Sequence, residues 1–145
     1  YEREIKKKIE NLKLSNVLLY TKVFKEEELV KFLNITDVFL LPMKKLDNPN
    51  ISFPLKLIEY FACEKPVICC AAGETARIVH DSSGGLAVEP ESPRALAKAI
   101  LKLYRNIGYA KRLAVNGRRF ALRYFSYDVM AKKLEKVFYS LTCLK

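Results

Sequence analysis

The 145-residue sequence contains no apolar run approaching the roughly 20 residues that a membrane span needs. Its start also lacks the basic, apolar and small-residue succession of a secretory leader. Histidine is nearly absent: His80 stands alone beside four cysteines, Cys63, Cys69, Cys70 and Cys143. Their spacings do not make the paired gaps of a zinc site, and no convincing Ser/His/Asp set can be assembled on one imidazole. The five glycines, at 73, 84, 85, 108 and 117, form neither a Walker loop nor a dinucleotide fingerprint. Acidic residues are scarce in one region only. Residues 1–90 carry 13 basic and 13 acidic side chains, whereas residues 91–145 carry 13 basic and 3 acidic ones. The whole net charge of +10 therefore lies in the last 55 residues. That distribution excludes a uniformly basic nucleic-acid coat.

What is present is a core-forming sequence, half hydrophobic and 29% charged, which suits one folded domain rather than a disordered chain. Residues from Glu2 to Leu14 place Ile5, Ile9 and Leu12 at helical spacing among charges. Val17-Leu18-Leu19-Tyr20 reads as a short buried strand. Glu26 to Asn34 reads as a helix, with three glutamates at the positive end of its dipole. Val38 to Leu41 is a second apolar strand, stopped by Pro42, and Asn48-Pro49-Asn50 marks a turn in the loop after it. Pro54 to Cys63 is a helix with proline in its first turn and Ser52 placed to cap it. Pro66 to Cys70 is a third strand, a loop through Gly73 leads to a short helix over 75–80, and Gly84-Gly85 turns into a fourth strand, Leu86-Ala87-Val88. From Ser92-Pro93 the pattern is helical, with breaks near Asn106-Ile107-Gly108 and Phe125-Ser126.

Strands apolar on both faces and alternating with helices imply a parallel sheet covered on both sides. The expected class is a doubly wound, mostly parallel α/β fold in a single domain over 1–145. Residues 1–90 form the α/β core and 91–145 a tail of basic helices. Cys69 and Cys70, neighbours on one strand, point to opposite faces and read as buried reduced thiols of a cytosolic protein.

In such a sheet, ligands bind at the carboxyl ends of the strands, which directs attention to residues 21–25, 42–53 and 71–74. A phospho-acceptor receiver would need an acid at the end of its central strand, but Asp37 precedes its strand. The helix start after the longest loop offers outward N–H groups as an anion site. Lys56 adds a cation in its first turn, and Glu59 is a carboxylate able to accept two hydroxyls of a sugar or ribose ring. The competing reading makes Lys56 and Glu59 an ordinary i,i+3 surface pair.

The ordered set of motifs from Asn16 to Tyr127 resembles the C-terminal, donor-binding domain of a GT-B glycosyltransferase of the large retaining family four. The strand Thr36-Asp37-Val38-Phe39-Leu40-Leu41-Pro42 carries this resemblance. So do the core run from Pro54 to Cys63, Lys65-Pro66-Val67-Ile68, Gly73-Glu74 and Gly85 to Pro90. Leu96 to Ile100 and Asn116-Gly117-Arg118 follow in the expected places. The resemblance implies a nucleotide-sugar site: Glu59 holding the donor ribose, the helix start at Phe53, Pro54 and Leu55 facing the diphosphate and sugar with Ser52 and Lys56 beside it, the loop from Thr21 to Val23 beside the base, and Gly73 and Glu74 lining the same cleft. It implies no metal and no resident cofactor, the nucleoside-diphosphate sugar being substrate, and it assigns no catalytic residue to this stretch.

Two departures matter. Ile51 stands where the family's first motif glutamate would fall, and Glu64 replaces the glycine before Lys-Pro-Val, so Glu64 is expected to adopt a positive φ at a helix end. The resemblance also begins inside the domain. The first strands and an N-terminal acceptor domain are expected to belong to a longer enzyme, without which this stretch would not transfer sugar. The alternative is a non-catalytic nucleotide- or protein-binding module of the same fold.

The basic helices leave three readings open. Arg94, Lys98, Lys102 and Arg105 share one face of the first. They form a solvated surface, an attraction to an anionic membrane that would hold a cytoplasmic enzyme peripherally at its inner face, or a nucleic-acid contact. The last is not expected, because no recognition motif accompanies the charge. The aromatics at 104, 120, 124, 125, 138 and 139 fall at helical spacings and are expected in the core.

Overall fold

In a computed structural model, the structure describes residues 1–45 and 53–142. The chain clusters into two compact units, Tyr1–Phe32 and Leu33–Lys145.

The first unit begins with helix α1 (Glu2–Asn11), steadied by a Glu2–Lys6 ion pair at 2.6 Å. The apolar run Val17–Tyr20 forms no strand. It is irregular backbone, with Leu18 78% exposed. Four apolar residues in a row make a buried strand only where neighbouring strands accept their hydrogen bonds, and no ladder forms here. Order in this segment comes instead from Tyr20, Phe24 and Phe32, whose rings meet at centroid distances of 5.1–6.5 Å. Helix α2 (Glu26–Asn34) starts on its three glutamates as expected.

The second unit is built on a three-stranded parallel sheet, β1 (Phe39–Pro42), β2 (Val67–Cys70) and β3 (Gly85–Val88), in that spatial order. Of four strands expected, three exist. Pro42 does not stop β1 but forms its last position, paired with Cys70, which an edge strand tolerates because no ladder N–H is needed there. The central strand is buried throughout. Helices α3 (Leu55–Ala62) and α4 (Gly73–Ser82) follow β1 and β2. After β3 come α5 (Pro93–Arg105), α6 (Ile107–Phe125) and α7 (Tyr127–Thr142).

The two-residue period of a strand divides the core. Val67 and Cys69, with Phe39 and Leu41, meet Leu57 and Phe61 of α3 and Val79 of α4. Ile68 points the other way, to Ala99 and Leu103 of α5 and Leu113 of α6. The 19-residue α6 serves both layers, since its Ala121 belongs to the first cluster. Truncating a side chain as buried as Phe61 to alanine costs about 3–5 kcal/mol. Helix entries follow their caps: Ser92 Oγ accepts from the Ala95 N–H at 3.3 Å, and Asn106 Oδ1 from the Tyr109 N–H at 2.9 Å.

The aromatic expectation holds in part. Phe120 packs on Phe61, and Phe125 on Phe120. Tyr104, Tyr124, Phe138 and Tyr139 are exposed, and no residue of α7 is buried. Helical spacing reveals an apolar stripe but not whether anything covers it. Among the described residues no helix is long and apolar enough to cross a membrane.

Candidate functional site

The three strands end together at Pro42, Cys70 and Val88, and the chain segments leaving them enclose a cleft of about 290 Å³. Its walls are Met43, Lys44 and Lys45 after β1, Ala71 and Ala72 after β2, and Glu89 and Pro90 after β3. Backbone bonds continue the ladder one residue beyond the strands, Met43 N–H to the Cys70 carbonyl and Ala71 N–H to that of Val88, both at 3.1 Å. The cleft floor is thereby fixed to the sheet rather than to mobile loops.

Helix α4 opens onto this floor. Ala72 occupies its cap position in extended conformation and offers no side-chain acceptor. Gly73 follows at φ 62°, a conformation that costs other residues about 1–2 kcal/mol. The first N–H groups of α4, unclaimed by a capping side chain, bring a partial positive charge to the cleft. Lys44 and Lys45 add two exposed cations. Glu89 supplies the carboxylate of the cleft wall, and beyond Pro90 the residue Glu91, at φ 58°, lines an adjoining hollow and accepts from the Lys45 backbone N–H at 3.4 Å. The arrangement suits an anion with polar groups attached: cations and N–H donors on two sides, a carboxylate on the third.

The residues expected from sequence distribute as follows. Glu59 lies on the outer face of α3, opposite the buried Leu57 and Phe61. Lys56, also exposed, does not pair with it. Among the described residues neither side chain makes an ion pair, so the i,i+3 surface pair does not form. Pro54 is the N-cap of α3 rather than part of its first turn (φ −77°, ψ 116°), and it provides no side-chain cap. The first turn is closed by the Leu57 N–H bonding to the Pro54 carbonyl at 3.0 Å, and Leu55 is exposed. Ser52 and Ile51 lie outside the described residues, as do the turn at 48–50 and Cys143. Phe53 is half-buried and stacked on Phe125 at 5.6 Å, so its ring anchors the start of α3 to the end of α6.

Gly73 and Glu74 do stand at the strand edge, but the Glu74 carboxylate is occupied. Arg77 grips both its oxygens, at 2.7 and 2.9 Å, and holds its carboxyl below the usual range. Thr21 and Val23 belong to the Tyr1–Phe32 unit; Val23 is 96% exposed, and Glu2 is held ionised chiefly by Lys6, with a lesser contribution from the Thr21 hydroxyl. Sequence reasoning marked the segment that holds Lys44 and Lys45 without singling them out, and it missed Glu89 and Glu91. The signal for the last two was available, because Glu89-Pro90-Glu91 directly follows an apolar strand and every parallel strand delivers its exit loop to the same edge.

Glu64 adopts φ 55°, as its place in the glycine position of the motif requires. Among the described residues no three His, Cys, Asp or Glu side chains are grouped to hold a metal.

Comparison with known proteins agrees with this architecture. The glycosyltransferase MJ1178 of Methanocaldococcus jannaschii is 30% identical over 139 residues, 94% of this chain and 38% of its own length. Sucrose-phosphate synthase from Thermosynechococcus elongatus superposes with a TM-score of 0.82 at 25% identity, over 99% of this chain and 35% of that one. Anabaena HepE in complex with UDP-glucose also gives 0.82, at 19% identity, over 97% of this chain and 37% of its own, a likeness of fold. The chain thus spans little more than a third of each of these three proteins. Residues 1–120 match the family described as glycosyl transferases group 1, and with the GT-B half-sheet and helical tail seen here, the chain belongs to that family.

Proposed function

We propose that the carboxyl-edge cleft binds the nucleoside-diphosphate portion of a sugar donor. In this reading the chain is the donor-binding part of a glycosyltransferase that passes the sugar, with retention, to a glycan or lipid-linked acceptor. One observation carries the reading: Lys44, Lys45 and the side-chain-uncapped start of α4 meet in one cleft of about 290 Å³ on the binding edge of a parallel sheet. The HepE structure, of the same fold, was solved with UDP-glucose, which supports a nucleotide sugar as the class of ligand.

Each group then has a task. The diphosphate is the leaving group, and its charge grows as the bond to the sugar breaks. Fixed N–H dipoles and two lysines favour that charge more in the transition state than in the ground state. Glu59, unpaired among the described residues, receives ribose hydroxyls on the exposed face of α3, with Lys56 one turn before it. The diphosphate is held by protein groups, and no resident cofactor is assigned. The partner domain that presents the acceptor belongs to the remaining length that relatives have and this chain does not span.

The test is calorimetric titration of the protein with UDP, GDP, ADP and their glucose conjugates. Binding of at least one nucleoside diphosphate, weakened by Lys44→Ala with Lys45→Ala, is expected. Binding with no sugar transfer by the intact enzyme would favour a non-catalytic module, and no nucleotide binding at all would sink both readings.

A further inference from the structure

Between Ser92 and Tyr127 there is no Asp or Glu, while nine Lys and Arg fall in that stretch. Helix α5 sorts these by angle. At the helical repeat of 3.6 residues per turn, Arg94, Lys98, Lys102 and Arg105 fall within an arc of roughly 80°, and all four are exposed. Ala99 and Leu103 occupy the opposite side, buried against the sheet, with Leu96 packed beside them. The sector between carries no charged residue of α5: Ile100 is 41% exposed, Leu101 46% and Tyr104 79%, with Ile107 at the α5–α6 elbow 66% exposed. Ile100, Tyr104 and Ile107 line an open groove of about 650 Å³ whose far wall holds Asp37, Glu64 and Lys65. None of the α5 cations is ion-paired among the described residues. Lys102 instead rests over the Tyr109 ring at 5.1 Å, joined there by Arg112 at 5.7 Å.

A row of unneutralised cations beside an uncovered apolar strip constrains what can cover it. A second copy would meet like charge with like charge. A nucleic acid would satisfy the cations but leave Ile100, Leu101 and Ile107 facing phosphate and sugar. An anionic bilayer satisfies both: headgroup phosphates take the cations, and the acyl boundary takes the aliphatic groups. Tyr104, which lies within the apolar strip at an angle between those of Ile100 and Leu101, is a residue type enriched at that boundary. We propose that the exposed face of α5, with the α5–α6 elbow, docks peripherally on an anionic lipid surface. This surface is separate from the residues lining the cleft, so it stands or falls independently of nucleotide binding.

The experiment is co-sedimentation of the intact protein with vesicles of phosphatidylcholine alone and of phosphatidylcholine mixed with phosphatidylglycerol. Binding to the mixed vesicles only, lost on raising salt, is expected. Each cation removed should weaken partitioning about fivefold, so Lys98→Ala with Arg105→Ala lowers it by roughly 25-fold, with nucleotide affinity unchanged. Leu101→Ser tests the apolar strip at constant charge and should weaken binding too. Because the chain has no tryptophan, Tyr104→Trp gives it one indole, whose emission should shift to the blue on anionic vesicles and stay put on neutral ones. All four positions are exposed, and unchanged circular dichroism checks that the variants fold. Failure to bind anionic vesicles at low salt, or equal binding by the Lys98/Arg105 variant, overturns the proposal. So does tighter binding to a DNA or RNA oligonucleotide that is lost in the same variant.

Discussion

Arg118 Nε lies 3.4 Å from the Glu64 carboxylate, while another nitrogen of the same guanidinium donates to the Ala62 carbonyl. One side chain of α6 thus closes the end of α3, whose last carbonyls have no intrahelical donor, and braces the residue that follows it at φ 55°.

That geometry makes two substitutions act in opposite directions. Arg118→Ala removes a charge-assisted bond and should cost about 1–2 kcal/mol. Glu64→Gly loses only a half-exposed ion pair, worth under about 1 kcal/mol, and relieves a left-handed residue that costs about 1–2 kcal/mol. The expected net is a gain of roughly 0.5 kcal/mol, set by those two terms. Urea denaturation of both variants checks the signs. A destabilised Glu64→Gly would mean that the ion pair outweighs the strain.

A second prediction concerns a close approach that the sequence conceals. A Cβ on Gly117 would sit 2.7 Å from Phe61 Cδ1, and one on Gly84 would sit 2.6 Å from the Gly117 Cα. Here α6, α3 and the start of β3 touch through glycines. Gly117→Ala should cost about 1–3 kcal/mol by overpacking. The conflict at Gly117 is with a side chain, so adding Phe61→Leu should recover part of the cost, a non-additivity visible in a double-mutant cycle. Gly84→Ala meets the Gly117 Cα at 2.6 Å as well as the Phe61 ring at 2.7 Å, so Phe61→Leu should recover a smaller share of its cost.

How much could be read in advance follows from what each signal measures. The strands at 39–42 and 67–70 were legible because continuous apolar residues between helices fit a sheet buried on both faces, and the helix boundaries near Ser92, Asn106 and Ser126 were legible because caps are local chemistry. The run at 17–20 looked the same in sequence as β1 and failed, since what distinguishes them is a neighbouring strand. The positive φ of Glu64 was readable from the glycine position it fills. Lys44 and Lys45 lay in the marked segment 42–53, but nothing in the sequence singled them out within it, because their meeting with Ala72 and Glu89 depends on the loop path after β1. The exposed aromatics of α7 and α5 show the same limit: periodicity predicts a stripe, and packing decides whether it is buried.

Burial gives a third prediction. Cys69, fully buried, has its thiol pushed up to about 12, mainly by desolvation. Its folded value lies above the unfolded one, so the unfolded chain releases the proton first as pH rises. Its contribution to stability is complete below pH 9 and is lost progressively as pH rises towards about 12. The urea midpoint should fall over that window, and Cys69→Ala should flatten the slope while lowering stability at neutral pH. Disulfide reagents at neutral pH should modify partly exposed Cys63 well before Cys69.

The last prediction separates the groups of the cleft. If Lys44 and Lys45 hold a diphosphate, then Lys44→Ala with Lys45→Ala should weaken a nucleoside diphosphate more than the matching nucleoside, and the difference should shrink as salt rises. If Glu59 holds ribose hydroxyls, Glu59→Gln should weaken both by a similar factor, about tenfold for two charge-assisted bonds reduced to neutral ones. Loss of Glu59 should also weaken a ribonucleotide more than its 2′,3′-dideoxy analogue. Calorimetry of both variants with these three ligands reads phosphate and ribose recognition apart. Equal loss for the deoxygenated analogue would remove Glu59 from the ribose site and leave the lysines and the α4 start as the binding element.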